Sequence, residues 1–189
     1  MKTLSAVLCI VLVASTALAV TPGKDAYLVS VGHAQGALSG GIRAQWRTAV
    51  WIFNPSTTTT ANVTMYFLER NKENTAPVQQ SLTVFPGETK EYLDAVLVPL
   101  GVDGKYGAIR VTSDIDVVVT GRIYDENVPT TKGATGTTGQ FFAGMPPAMA
   151  IGNGGATDII GLRQDSGTDC GSWRSNFGIQ EVTGSSCTV

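Results

Sequence analysis

The chain has 189 residues, a formal net charge of −2 at pH 7, 43% hydrophobic residues, only 15% charged residues and 22 glycines. Length and apolar content suit one full domain with part of a second and exclude a disordered tail. Gly and Thr stand where charged residues usually do, which favours short strands and tight turns over long helices, and no run of Lys/Arg offers nucleic acid a basic face.

The first residues read as an address. Lys2 supplies a positive start, Ala6 to Val13 forms an apolar stretch too short to span a bilayer, and Ala17-Leu18-Ala19 has the small-x-small pattern of a signal-peptidase site. Residues 1–19 are therefore expected to be a signal peptide, with cleavage after Ala19 and an extracytoplasmic (secreted or periplasmic) mature chain that is not an integral membrane protein. Cys9 follows Leu8 after too short an apolar run for a lipoprotein signal. Cleavage leaves Cys170 and Cys187, an even pair in a compartment that permits disulfides, and these two are expected to be bonded.

Beyond Val20 the pattern is strand after strand. Ala44 to Asn54 is a long β run ended by Asn54-Pro55-Ser56, and Ala61 to Leu68 alternates Val63, Met65, Phe67 against Thr64, Tyr66, Leu68, so the two are expected to form a hairpin. Val78 to Phe85 follows, closed by Pro86-Gly87-Glu88-Thr89 with the Pro-Gly order of a type II turn. Glu91 to Leu100 has room for a helical turn limited by Pro99. Gly107 to Thr112 and Ile115 to Tyr124 read as a second hairpin around Ser113-Asp114. Pro129 to Gly139 reads as a loop, and strand-like runs return at Gln140 to Ala143 and Asp158 to Arg163. Turn signals at this spacing without an amphipathic helix predict an all-β fold, an antiparallel β-sandwich of the immunoglobulin-like kind.

An internal repeat organises the chain. Gly41-Ile42-Arg43 followed by Trp46-Arg47-Thr48-Ala49-Val50-Trp51-Ile52 recurs as Gly161-Leu162-Arg163 followed by Trp173-Arg174-Ser175-Asn176-Phe177-Gly178-Ile179. The expected division is a module over 20–138 and, over 139–189, the start of a second, incomplete copy or the closing strands of the first. An incomplete copy would leave unpaired strands open to self-association.

Trp46-Arg47-Thr48 through Asn54-Pro55-Ser56, the Pro86–Thr89 turn, Gly107 through Asp114 and Gly139-Gln140-Phe141 together resemble an Ig-like β-sandwich module of uncharacterised secreted bacterial proteins. The resemblance covers most of the mature chain. It implies a bacterial, extracytoplasmic module often found in tandem, and it implies no activity and no catalytic residue.

His33 is the only histidine, sits in the Gly-rich stretch Val31 to Gly36 without a Gly-x-Ser-x-Gly motif anywhere, and is read as a solvated loop residue. Glu88, Glu91 and Asp94 are candidate paired carboxylates that a turn and a polar strand edge explain equally well. Asp114/Asp116 and Asp165/Asp169 carry the oxygen chemistry of calcium ligands but no distinguishing pattern. No metal, cofactor or catalytic residue is expected.

The repeat also predicts side-chain direction. Trp46, Val50 and Ile52 align with Trp173, Phe177 and Ile179, all apolar, and should face the core. Ala49, Trp51 and Phe53 align with Asn176, Gly178 and Gln180, so Trp51 and Phe53 are expected outside it, covered by a crossing loop or forming an exposed patch with Tyr66 from the neighbouring strand. Two functions follow: a non-catalytic structural or adhesive module of the envelope or secretome docking a protein through that patch, or a carbohydrate-binding module, alone or accessory to a hydrolase, stacking a glycan on it. A hydrolytic enzyme ranks third.

Overall fold

The computed structural model describes residues 20–39, 41–130, 135–162 and 177–185. Among the described residues seven strands form the fold, β1 (Gly23–Ser39), β2 (Ile42–Phe53), β3 (Ala61–Glu69), β4 (Val78–Val84), β5 (Thr89–Tyr92), β6 (Lys105–Pro129) and β7 (Thr135–Ala143), followed by a 3₁₀ turn at Pro147–Met149. Every pairing is antiparallel. The all-β antiparallel expectation is met. The strands are joined into one hydrogen-bonded sheet in the order β4-β3-β6-β1-β2-β5, with β7 added on β6.

Two long strands make that sheet curl. The first part of β6 lies between β1 and β3, and its second part lies between β2 and β7. Likewise β1 pairs with β6 up to His33 and with β2 from Ala34 on. Each strand therefore belongs to both halves of the sheet, and each is bent by register shifts, the usual device for turning a strand. Beyond β7 the chain returns to β1, where Tyr27 and Met145 exchange both backbone hydrogen bonds at 2.9 Å.

The curl encloses one apolar core. Leu28 and Val31 of β1, Val50 and Ile52 of β2, Val63, Met65 and Phe67 of β3, and Ile109, Val111, Val117 and Val119 of β6 are buried together. On β2, β3 and β6 these residues are separated by even steps, while Leu28 and Val31 of β1 are three apart across a register shift; the opposite faces are polar or mixed, the signature of a sheet with one face inward. Ala95, Val96, Leu100 and Val102, from the turn after β5, cover one part of the core. Burying each aliphatic side chain of this size is worth roughly 1.5–3 kcal/mol.

Several local expectations are corrected. β2 and β3 do not form a hairpin: β2 is bonded to β1, β5 and β6, and β3 to β4 and β6. Asn54 is the cause. Its fully buried side chain donates from Nδ2 to the carbonyls of Thr59 (2.8 Å) and Val84 (2.9 Å) and accepts the Ser56 N–H at 3.0 Å, holding the connection in a path that crosses to the other half of the sheet.

Nor is there a hairpin at Ser113-Asp114, because β6 runs through it. Gly23 pairs with Val117 but Asp25 with Thr112, so the turn-like residues Ser113 to Asp116 form a bulge on the β1 side. Thr135 to Gly139, expected in a loop, is strand, and the division at 138/139 falls within β7, whose residues on both sides pair with β6. Residues 158–162 are exposed and irregular where a strand is expected. The helical turn after β5 is present, with Val98 N–H bonded to Asp94 C=O at 2.9 Å. The type II turn is present too: Glu88 N–H bonds to Phe85 C=O at 3.0 Å, with Gly87 at φ 71°. The signal segment 1–19, Cys170, Cys187, Trp173 and Asp165/Asp169 lie outside the described residues.

Candidate functional site

The outward face of the half-sheet β5-β2-β6-β7 carries the residues singled out in β2. Residues opposite one another in an antiparallel ladder share a face. Trp51 stands between Glu91 of β5 and Thr120 of β6, Phe53 between Thr89 and Val118, Ala49 beside Arg122, and Arg47 beside Tyr124. Arg122 in turn faces Phe141 of β7. Val50 and Ile52, one step along, are fully buried in the core as their alternation predicts.

Trp51 is half-buried, and its indole Nε1 donates to Glu91 Oε1 at 2.7 Å. Phe53 is 36% exposed, Phe141 57% and Leu93, just beyond β5, 63%. Tyr124 is braced by the Arg122 guanidinium over its ring at 4.9 Å and donates its hydroxyl to Leu93 C=O at 3.1 Å. Burial, reinforced by the nearby carboxylates Glu126 and Asp94, raises the phenol above its ordinary pKa, so it stays a neutral donor.

Tyr66 is elsewhere. It stands on β3 between Gln79 and Arg110, on the outward face of the other half. Because the inner faces of both halves meet in one core, the outward faces point apart, and Tyr66 is not part of a patch with Trp51 and Phe53. Its neighbour Arg110 forms a two-pronged pair with Asp25 (3.0 and 2.7 Å) beside Tyr27. Sequence reasoning missed Tyr124, Leu93 and Phe141. The alternation of β6 holds the signal for Tyr124 once the strand is read as continuous.

Beside the aromatic residues lies a polar knot centred on Asp94. His33 is a buried strand residue, which corrects its reading as a solvated loop histidine. Its Nδ1 lies 2.6 Å from Asp94 Oδ2 and its Nε2 3.4 Å from Asp103 Oδ1. Arg47 Nε approaches Asp94 Oδ2 at 3.6 Å, while its Nη2 reaches Glu126 Oε1 at 2.8 Å and its Nη1 donates to Trp46 C=O at 2.9 Å. Asp94 Oδ1 also accepts the Leu97 N–H at 3.4 Å. The knot thus joins β1, β2, β6 and the turn after β5.

What can this arrangement do chemically? A His–Asp dyad serves nucleophilic catalysis when the far ring nitrogen meets a hydroxyl or thiol. Here that nitrogen faces the carboxylate of Asp103, so the dyad is wired as a clamp. The carboxylates lie on opposite sides of the ring and do not converge on a metal, and among the described residues no grouping of His, Cys, Asp and Glu does. Glu88 accepts the Phe85 N–H and pairs with Lys90, both at 2.7 Å, and the Lys90 bond holds its pKa below the ordinary value. Asp114 accepts both the backbone and the side-chain N–H of Asn62. Among the described residues no helix is long and apolar enough to cross a membrane.

No family model and no curated protein matches the chain. Among solved structures the chain is similar to Thermotoga maritima 1070, at 16% identity and a TM-score of 0.43 over 64% of this chain and 91% of that one. It is also similar to the Anabaena sensory rhodopsin transducer, at 20% identity and a TM-score of 0.37 over 54% of this chain and 89% of that one.

Proposed function

We propose that this chain is a non-catalytic structural or adhesive module of the bacterial envelope or secretome that docks a partner through the outward face of β5-β2-β6-β7. One observation carries the reading. That face presents Trp51, Phe53, Leu93 and Phe141 outward, while its charged neighbours Arg47, Asp94 and Glu126 are tied to one another. Apolar side chains exposed together within a polar frame are the composition of an interaction surface. The packing of both half-sheets on one core supports the finer reading of the curl as an immunoglobulin-like sandwich. Export and a Cys170–Cys187 bond belong to the same proposal. Intact-mass measurement of periplasmic material should give a chain beginning at Val20 and lighter by two hydrogen atoms than its reduced form.

A second reading, a carbohydrate-binding module, is favoured by the hydrogen bond from Trp51 to Glu91, which fixes the indole plane on the open sheet surface where a sugar ring can stack. A glycan array and a protein pull-down separate the two. For either, the double substitution Trp51→Ala/Phe53→Ala should weaken binding at least about tenfold, the effect of losing interface anchors. It should lower stability by no more than roughly 1 kcal/mol, since neither side chain is in the core. A loss of about 3–5 kcal/mol, typical of deleted core aromatics, with binding unchanged would overturn the docking reading.

A further inference from the structure

The end of the sheet opposite the aromatic face carries a second surface. Among the described residues β4 is bonded on one edge only, to β3, along an unbroken register from Val78 opposite Phe67 to Val84 opposite Ala61. Its other edge presents backbone donors and acceptors with no strand beside them. Proteins ordinarily guard such an edge with charge, proline, a bulge or brevity. β4 has none of these: Val78-Gln79-Gln80-Ser81-Leu82-Thr83-Val84 is uncharged, without proline, unbulged and seven residues long. No charged residue occurs anywhere from Asn74 to Gly87. The contrast with β5 at the far end of the sheet is direct, since that strand has four residues and carries Lys90 and Glu91. β7 holds Gly136 and Gly139 within its span, which weakens its register as a template.

We infer that β4 is a strand-addition surface whose occupant is the β4 of a second copy of this chain, paired antiparallel about a two-fold axis. The Ser81 carbonyl accepts the Gln80 side-chain Nε2 at 2.8 Å, an exposed local bond that an incoming strand would displace, and an extended backbone satisfies the alternating N–H and C=O groups of the whole edge together. The charge pattern selects the copy. In an antiparallel two-fold pair each residue meets a residue of the same strand, so an uncharged strand is complementary to itself. An axis through Ser81 sets Gln79 opposite the second copy's Thr83, Gln80 opposite its Leu82, and Ser81 opposite its own counterpart. Gln79, Gln80, Ser81 and Thr83 are exposed, so the added strand meets side chains already at the surface. Pairing along seven residues covers less area than a standard interface, so the dimer is a weak one that forms with rising concentration. It places two aromatic docking faces on one particle and so raises the avidity of an adhesive module. This inference does not rest on the docking reading, which concerns the other half of the sheet.

The test uses sedimentation equilibrium of the full chain over a wide concentration range, with circular dichroism and thermal unfolding as fold controls. The wild type should rise from monomer mass toward twice that mass. Ser81→Lys should weaken the association at least about tenfold, since like charges then stand opposite one another. Ser81→Glu should do the same. An equimolar mixture of the two variants should restore the dimer as a mixed pair, because Lys then faces Glu. A wild type monomeric throughout, or a dimer indifferent to Ser81→Lys, overturns the inference. So does a Ser81→Lys variant that loses stability without changing mass, which would mean that another segment of the same chain occupies the edge.

Discussion

Gly107→Ala is expected to destabilise the fold by about 3 kcal/mol or more, at or above the upper end of overpacking in a filled interior. Gly107 lies on β6 where that strand is flanked on both sides, opposite Val31 of β1 and Glu69 of β3. A Cβ there would stand 2.0 Å from the Leu68 carbonyl oxygen, 2.9 Å from its carbon and 3.1 Å from the Phe67 ring. The obstacle is backbone, so no rotamer change relieves it, and β3 must separate from β6 beside Phe67 and Ile109 of the core. Gly152→Ala is the control, since nothing lies within 4 Å of its added methyl. That change should stay within about 0.5 kcal/mol. Urea unfolding of both variants decides the matter. Equal midpoints would show that β3 and β6 do not meet as the register requires.

Two other glycines with crowded surroundings, Gly32 and Gly36, explain part of what was not legible in sequence. The spans of β2, β3 and β4 and the Pro86-Gly87 turn follow from alternation and turn chemistry, which are local and need no knowledge of partners. β1 was harder to read because Gly32 and Gly36 look like loop residues. In the structure they are cleared space: an added Cβ would stand 2.5 Å from the Tyr106 ring at one and 2.5 Å from Trp46 Nε1 at the other. Aromatic rings from neighbouring strands lie over the β1 backbone, and only long-range pairing shows why glycine is required.

The bulge at Ser113 to Asp116 carries the residues of a turn for a related reason, since both break the ladder locally. Partner choice was the least legible feature. Strand order alone sets Tyr66 beside Trp51, because successive strands commonly pair, whereas the crossing held by Asn54 sends β3 to the other half. The outward direction of Trp51 and Phe53 follows from the alternation of β2 alone; the repeat also places Phe177 and Ile179 in the core, whereas they are 67% and 63% exposed in an irregular segment, and the Asp94 knot was not readable at all. Its members come from residues 33, 47, 94, 103 and 126, and nothing in their spacing reveals that they meet.

Asp94→Ala should cost about 2–3 kcal/mol, somewhat below the range for removing one partner of a fully buried ion pair. The side chains of Asp94 and Arg47 are each 17% exposed and that of His33 11%, so water screens the knot only in part. Loss of the carboxylate leaves His33 Nδ1 without its 2.6 Å partner and removes one of the two anions beside Arg47. It also frees the Leu97 N–H in the turn that carries Ala95, Val96 and Leu100 into the core. Asp94→Asn keeps an oxygen for that N–H and loses only the charge, so it should cost less than Asp94→Ala.

If the knot acts as a unit, the effects of His33→Gln and Asp94→Ala should not add: the double variant should be less destabilised than their sum by about 1 kcal/mol. The turn also presents Leu93, whose carbonyl holds the Tyr124 hydroxyl on the docking face. Asp94→Ala should therefore weaken partner binding as well, through loss of order in that turn. Equilibrium unfolding measures the first effect. Amide exchange at Ala95, whose N–H is bonded to Thr48 C=O at 2.7 Å, measures the loss of order in the turn on which the second depends. A cost under roughly 0.5 kcal/mol, with Ala95 still protected, would reduce the knot to a surface ion pair and remove the link proposed between its clamp and the face it supports.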